Sequence, residues 1–250
     1  MLDQQTPIKA FRDKERWQYS DMDQNMFAVA IGQINRYYEF LLIVKARYDS
    51  ETKYFIQMNP FPREGVQEGI RQVTTDEFDK MIQSSALQAN IQLDIESFYV
   101  FAKVTLDKIA QFCETYFGNQ RGCTFKSHDN LVKYFSRYTE AKGLSFPTGF
   151  LELSQKLKDL VSEYRDKHIA HHKNPRRMVG IIWSTEGNIQ LMPTYVNPMG
   201  SDKPQTVSSP LSQLLELLDA YLELLFSAVE SNRTKGTFAI RKGTSGTQRT

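Results

Sequence analysis

The chain has 250 residues, which is long for one domain and short for two, and 40% of them are hydrophobic. Its 16 Phe, 12 Tyr and 2 Trp argue against general disorder and predict a substantial core. The net charge of +2 gives no overall electrostatic reason to bind nucleic acid, so an anion site would have to be local. No DNA partner is predicted.

Two segments of the sequence bear on targeting. Both argue against insertion into a membrane and against secretion. The first 17 residues, MLDQQTPIKAFRDKERW, are charged and lack the apolar centre of a signal peptide. The most apolar long run, LSQLLELLDAYLELLFSAVE, carries four acids and is not expected to cross a membrane. With Cys113 and Cys123 expected to be reduced thiols, a cytoplasmic protein without a membrane partner is predicted.

The first half of the chain predicts an N-terminal arm at 1–20 and then helices. Apolar residues spaced by three and four predict a helix over 21–49: Phe27, Ile31, Ile34, Tyr38 and Leu41. Tyr54–Met58 reads as a short strand in a loop that runs to residue 73. Thr74 is expected to cap a helix through Ile82, followed by a second, central helix over 84–118.

The second half predicts three more helices and one hairpin. Helices are expected over 128–143, with Ser127 or Asp129 as cap and Gly143 as stop, and over 145–172. Two β-rich runs on either side of Gly187-Asn188 predict a β-hairpin near 179–196. A leucine-rich last helix follows at 209–232, and its wide leucine face is a candidate dimer surface.

The predicted fold class is therefore mainly α, a helical bundle with an inserted β-hairpin. The predicted organisation is an arm at 1–20, a single helical-bundle domain at 21–234 and a flexible tail at 235–250.

The most distinctive stretch is 165-RDKHIAHH-172, which holds three of the four histidines at the end of a predicted helix. The inner stripe of that helix, continued by threes and fours, reaches His168 and His171. Imidazole exchanges protons near neutral pH, and guanidinium grips phosphate with paired hydrogen bonds. Arg165 with His171 is thus a minimal set for cleaving RNA without a metal, with Asp166 placed to hold the arginine or orient a histidine.

This stretch resembles the motif of the HEPN superfamily (higher eukaryotes and prokaryotes nucleotide-binding domains). That motif is an Arg, usually followed by a polar residue, and a His after four to six intervening residues. Arg165, Asp166 and His171 fit it, and His172 is the alternative base. The resemblance implies a helical bundle and a metal-independent endoribonuclease of a toxin or defence system, with RNA as substrate and a homodimer that completes the site.

The resemblance also implies a polar residue on an earlier core helix, for which Glu96 is the best match and Asp94 the second. Lys173, Arg176 and Arg177 form a local basic patch suited to an RNA backbone. The tyrosine that follows the motif in HEPN toxins paired with a nucleotidyltransferase is replaced here by Lys173, so that pairing is not expected.

Other interpretations remain open from the sequence. His168 and His172 have a spacing that allows two imidazoles to share a metal, but Ile169 stands where a zinc-protease helix has its glutamate. Neither a metal nor a cofactor is therefore predicted. The alternative function is a non-catalytic helical bundle that binds a nucleotide or a protein partner.

Overall fold

The computed structural model describes residues 5–58, 75–164, 179–185, 188–194 and 210–241. Over these residues the fold is mainly helical, as the sequence predicts. Six α-helices are described: α1 Pro7–Glu15, α2 Asp21–Met58, α3 Thr75–Phe117, α4 His128–Lys142, α5 Phe150–Tyr164 and α6 Pro210–Ser231. Short 3₁₀ turns lie at Arg16–Gln18 and Arg233–Lys235. None of the described helices is both long enough and apolar enough to cross a membrane.

Two strands lie between α5 and α6 in the chain. Strand β1, Val179–Thr185, pairs antiparallel with β2, Asn188–Thr194. The register joins Val179 to Thr194 and Thr185 to Asn188.

Local side chains fix the ends of α1 and α4. The Thr6 side chain accepts a hydrogen bond from the Lys9 amide at 3.1 Å, and Pro7 occupies the first helical turn, where no backbone donor is needed. Ser127 caps α4 in the same way through the Asn130 amide, at 3.3 Å. Gly143 ends α4 with φ 61°, a left-handed conformation that glycine adopts without strain. The predicted cap and stop of α4 are confirmed.

Three predicted element boundaries are wrong. The helix predicted over 145–172 begins only at Phe150, because Gly149 just before it has a left-handed backbone with φ 88°. The predicted strand Tyr54–Met58 is the last part of α2, because buried Tyr48 and Phe55, seven residues apart, continue the helical stripe. The predicted break near residue 83 is absent, and α3 is one helix from Thr75 to Phe117. No glycine or proline interrupts that span, so nothing in the backbone requires a break.

The chain forms two compact units. Unit 1 comprises Met1–Phe40, Phe101–Ser162 and Leu215–Thr250, and unit 2 comprises Leu41–Val100 and Glu163–Leu214. The predicted domain at 21–234 spans parts of both. The leucines of α6 are buried within the chain, so its leucine face is not free for a second copy: Leu211, Leu214, Leu218, Leu222 and Leu225.

The core of unit 1 is rich in aromatic rings from both ends of the chain. Tyr19, Phe27 and Tyr116 pack around Phe238 with ring centroids 5.7–6.1 Å from it. The backbone of residues 237–241 is held by Tyr116, Ser20 and Gln18: the Thr237 amide donates to the Tyr116 carbonyl, the Ser20 amide to Ala239 and the Arg241 amide to Gln18. The predicted arm and the start of the predicted tail are therefore parts of unit 1.

A buried ion pair joins the N-terminal and C-terminal segments of unit 1. Glu15 is fully buried, and its two carboxylate oxygens accept hydrogen bonds from Arg233 at 2.6 and 2.8 Å. The Tyr19 hydroxyl also donates to Glu15, at 3.0 Å, and lies 2.8 Å from the Tyr116 hydroxyl. Burying a carboxylate without a partner is strongly unfavourable. The burial of Glu15 therefore depends on its ion pair with Arg233.

We predict that Arg233→Leu lowers the free energy of unfolding by about 3 kcal/mol, because it leaves the Glu15 carboxylate buried without its cation. Urea unfolding measures this loss. The matched control is Lys14→Ala, which breaks the exposed pair with Glu230 and is expected to cost much less than Arg233→Leu. Equal costs for the two variants would contradict the assignment. Adding Glu15→Gln to Arg233→Leu should recover part of the loss.

The fourth histidine lies in the core of unit 1. His128 is buried, and its Nε2 lies 3.1 Å from the Tyr221 hydroxyl, whereas no described residue hydrogen-bonds its Nδ1. Burial lowers the pKa of His128 to about 3, with Lys103 and Lys158 lowering it further and Asp129 opposing them. His128 is therefore neutral in the folded protein at neutral pH.

This shift predicts a component of acid sensitivity. The folded pKa lies below the unfolded value, so between pH 6.5 and 3 the unfolded chain binds a proton that the folded chain does not. As the pH is lowered through that window, this residue should reduce the free energy of unfolding by up to about 1.4 kcal/mol per pH unit. Urea unfolding at pH 7 and pH 5 should show a smaller loss for His128→Phe, or for His128→Gln, than for the unchanged chain. The same loss in all three would contradict the prediction.

Candidate functional site

The predicted site divides between described and undescribed residues. Glu96, on α3, is described. The other predicted site residues lie outside the described residues: Arg165, Asp166, His171, His172, Lys173, Arg176 and Arg177. The structure does describe Tyr164 of α5, which directly precedes Arg165 in the chain.

A ring stack fixes Tyr164 against α3 within unit 2. The Tyr99 and Tyr164 rings are nearly parallel, with centroids 3.9 Å apart and an interplanar angle of 13°. Both side chains are buried. Close stacking of two buried rings leaves little freedom at Tyr164, so α3 fixes the point at which the chain enters the predicted motif.

Glu96 lies beside this stack. Burial is the main cause that raises the pKa of Tyr164, and the nearby Tyr99 and Glu96 raise it further. Glu96 itself is half-buried and accepts a hydrogen bond from Gln92 Nε2 at 2.7 Å. Glu96 thus lies beside Tyr164, the residue that precedes Arg165 in the chain, and one of its carboxylate oxygens accepts the hydrogen bond from Gln92.

Asp94, the second acidic candidate, has a different environment. It is fully buried, and its Oδ1 accepts hydrogen bonds from the Arg47 guanidinium, with the Nε donor at 2.6 Å. Its other oxygen, Oδ2, is buried and has no hydrogen-bond partner among the described residues. Burying an unpaired acceptor costs free energy. Asp94 Oδ2 can therefore accept a hydrogen bond from one further donor.

A second carboxylate accompanies Asp94. Burial, followed by the charge of Asp94, raises the pKa of Glu51, while Arg47 opposes the rise. Glu51 Oε2 is also buried without a partner among the described residues. Two carboxyl groups therefore share one guanidinium. These three residues are called the Asp94 cluster: Arg47, Glu51 and Asp94.

The sequence interpretation missed Arg47 and Glu51. A signal was present, because Asp94 falls three residues after Ile91 and four before Phe98, both buried. A carboxylate on that stripe predicts a cationic partner on a neighbouring helix. Arg47 and Glu51, four apart on α2, form a charged pair on the preceding helix.

The described residues offer little else that resembles a ligand site. Across the described ranges, no group of three or more His, Cys, Asp and Glu side chains is arranged to hold a metal ion. A shallow pocket of about 290 Å³ in unit 1 is lined mainly by apolar residues, among them Phe135, Leu144, Phe146 and Phe150. It contains no residue of the predicted site.

Comparisons with known proteins found no matching family model, no similar curated protein and no similar solved structure.

We predict that Arg47→Ala lowers the free energy of unfolding by about 2 kcal/mol, because it removes the only described donors to the buried Asp94 carboxylate. Thermal or urea unfolding measures the change. Lys45→Ala is the matched control, since Lys45 pairs with the exposed carboxylate of Asp49 on the same helix and leaves no buried charge behind. Adding Asp94→Leu to Arg47→Ala should restore stability. If Arg47→Ala costs no more than Lys45→Ala, Arg47 does not stabilise the buried Asp94 carboxylate.

Proposed function

We propose that this chain is a HEPN-type helical bundle that cleaves RNA without a metal, with Arg165 and His171 as the catalytic pair. The observation that supports the proposal most directly is the position of Glu96. It lies on α3 beside Tyr164, the residue before Arg165, and the HEPN resemblance implies a polar residue on an earlier core helix. The mainly helical architecture agrees with the same family.

The proposed chemistry follows from the two side chains. His171 as a neutral imidazole takes the proton of a ribose 2′-hydroxyl, and the 2′-oxygen attacks the adjacent phosphorus. The bond from phosphorus to the 5′-oxygen breaks, which leaves a 2′,3′-cyclic phosphate and, after protonation, a 5′-hydroxyl. Arg165 stabilises the negative charge that builds on the phosphoryl oxygens.

The remaining site residues have supporting roles in this proposal. Asp166 and Glu96 orient the Arg165 guanidinium or the imidazole, and His172 is the alternative base. Lys173, Arg176 and Arg177 bind the RNA backbone. The hairpin β1–β2 follows these residues in the chain and is proposed as an insertion into the HEPN-type bundle. In the family the site forms between two copies, so a homodimer is the proposed active form, and a toxin or defence role is the proposed context.

We predict that the purified full chain cleaves mixed cellular RNA in the presence of a chelator, and that Arg165→Ala and His171→Ala each lower the rate at least 100-fold. The products should carry 2′,3′-cyclic phosphate and 5′-hydroxyl ends. Glu96→Gln should slow cleavage less, since it changes an orienting group. Gel electrophoresis measures the cleavage rate of the unchanged chain and of each variant, and end-group analysis identifies the product ends.

Ser136→Ala, at an exposed position on α4 in unit 1, is the control and should cleave at the unchanged rate. Cleavage that persists in both Arg165→Ala and His171→Ala would sink the proposal, and cleavage that needs a metal would favour the two-histidine metal site. A folded chain that binds nucleotide or protein but cuts no RNA would favour the non-catalytic alternative.

A further inference from the structure

Positive charge is concentrated in the loop after α3 and in α4, both of which belong to unit 1. Residues 118–142 hold five cations and two acids, an excess of three positive charges: Arg121, Lys126, Lys133, Arg137 and Lys142 against Asp129 and Glu140. The whole chain has a net charge of only +2, so this segment is a local exception. Three of its cations, Arg121, Lys133 and Arg137, are exposed and carry the argument below.

A tight turn brings two arginines to one place on the surface. The Cys123 amide closes this turn by donating to the Gln120 carbonyl at 3.0 Å. Its central residues are Arg121 and Gly122, and Gly122 has a left-handed backbone with φ 77°. The Arg137 guanidinium packs against the turn, because its Nη2 lies 3.5 Å from the point that a Cβ on Gly122 would occupy. Like charges so placed repel each other, and an anion bound there removes the repulsion.

Lys133 extends the positive charge along α4. It lies four residues before Arg137, so the two residues are on the same side of the helix and about 6 Å apart along its axis. The Lys133 ammonium lies 5.0 Å from the centroid of the Tyr134 ring. This contact with a neutral ring holds the lysine side chain in place without neutralising its charge. Arg121, Lys133 and Arg137 are called the α4 basic surface.

The acids of this part of unit 1 do not neutralise the α4 basic surface. Asp129 pairs with Lys103 at 2.9 Å, and Glu114 accepts a hydrogen bond from the Phe125 amide at 3.1 Å. Glu140 is exposed and lies one turn beyond the surface on α4. Among the described residues, no carboxylate forms an ion pair with any cation of the surface. These three cations are therefore available to an external anion.

We propose that the α4 basic surface binds backbone phosphates of the RNA that the chain cleaves. Guanidinium grips phosphate with two parallel hydrogen bonds, and lysine supplies a point charge. Two cations on one helix face and a third on the adjoining turn fit a chain of repeated phosphates. All residues from 118 to 142 are described, and none is a large exposed apolar side chain, whereas membrane-binding surfaces combine cations with apolar residues.

The choice of RNA as the polyanion rests on the proposed function. The α4 basic surface adds an RNA contact in unit 1 to the basic residues proposed at 173–177. Because its contacts are to phosphate, binding should depend steeply on salt and little on base sequence.

Fluorescence anisotropy tests the surface with a labelled single-stranded 2′-O-methyl RNA, titrated with the full chain over a series of salt concentrations. The methyl group replaces the 2′ proton that the proposed cleavage requires, so the probe stays intact. Lys133→Gln together with Arg137→Gln should weaken binding at least about tenfold at low salt. The slope of log K against log salt should become shallower by about 1.4, because two phosphate contacts are lost. Arg137→Lys keeps the positive charge and should retain the slope.

The matched control combines Arg36→Gln with Lys156→Gln. These two residues are also an arginine and a lysine exposed in unit 1, so the control loses the same charge elsewhere on the unit. It should bind the probe close to the strength of the unchanged chain. Urea unfolding should show the same stability for both double variants, because all four side chains are exposed.

Equal binding of the probe by the two double variants would overturn the proposal. Polyglutamate that competes with the probe as well as unlabelled RNA does, or binding to anionic phospholipid vesicles in place of RNA, would also overturn it.

The cleavage assay decides the proposed function separately. Loss of probe binding in the surface variant of a chain that cuts no RNA supports the α4 basic surface and refutes the cleavage. Cleavage that is lost in Arg165→Ala and His171→Ala, with the probe bound equally by both double variants, supports the cleavage and refutes the surface.

Discussion

Unit 1 depends on one interaction, the buried pair of Glu15 with Arg233. The two residues lie 218 positions apart, at opposite ends of the described chain. Because Glu15 is fully buried, its charge is tolerable only with the guanidinium and the Tyr19 hydroxyl in place. The pair therefore specifies where α1 and the segment after α6 must lie, while the aromatic core around Phe238 supplies most of the favourable burial.

Unit 2 is organised by a similar constraint that is only partly satisfied. Arg47 neutralises one oxygen of Asp94, while Asp94 Oδ2 and Glu51 Oε2 remain buried without partners in the described part of the chain. Buried acceptors in folded proteins nearly always have a hydrogen-bond partner, and the described residues supply none for these two oxygens. The Asp94 cluster and Glu96 both lie on or against the section of α3 that stacks on Tyr164.

Sequence patterns predicted the helical class well because helical periodicity is strong and local. The stripe in α5 and the cap and stop of α4 depend on residues within four positions of one another. The errors at Tyr54–Met58 and near residue 83 concern where helices end, which depends on tertiary burial rather than on local preference.

Long-range pairing could not be predicted in the same way. Nothing local in Glu15 or Asp94 identifies Arg233 or Arg47 as partner, since those contacts exist only after helices pack. For the candidate site, the sequence predicts catalytic roles for Arg165 and His171, which lie outside the described residues, and it selects Glu96, which lies beside Tyr164. It ranked Asp94 second and missed Arg47 and Glu51, because burial of a carboxylate is decided by the packing of α2 against α3.

The short antiparallel contact between Tyr19 and Ile240 has a consequence for synthesis on the ribosome. The first helix of unit 1 is translated more than 200 residues before the segment around Ile240 that pairs with Tyr19. Until then Phe27 and Tyr116 lack the ring of Phe238. Unit 1 therefore completes its core only after Phe238 has been translated, and a chain that stops before residue 233 would expose that aromatic surface to chaperones and proteases.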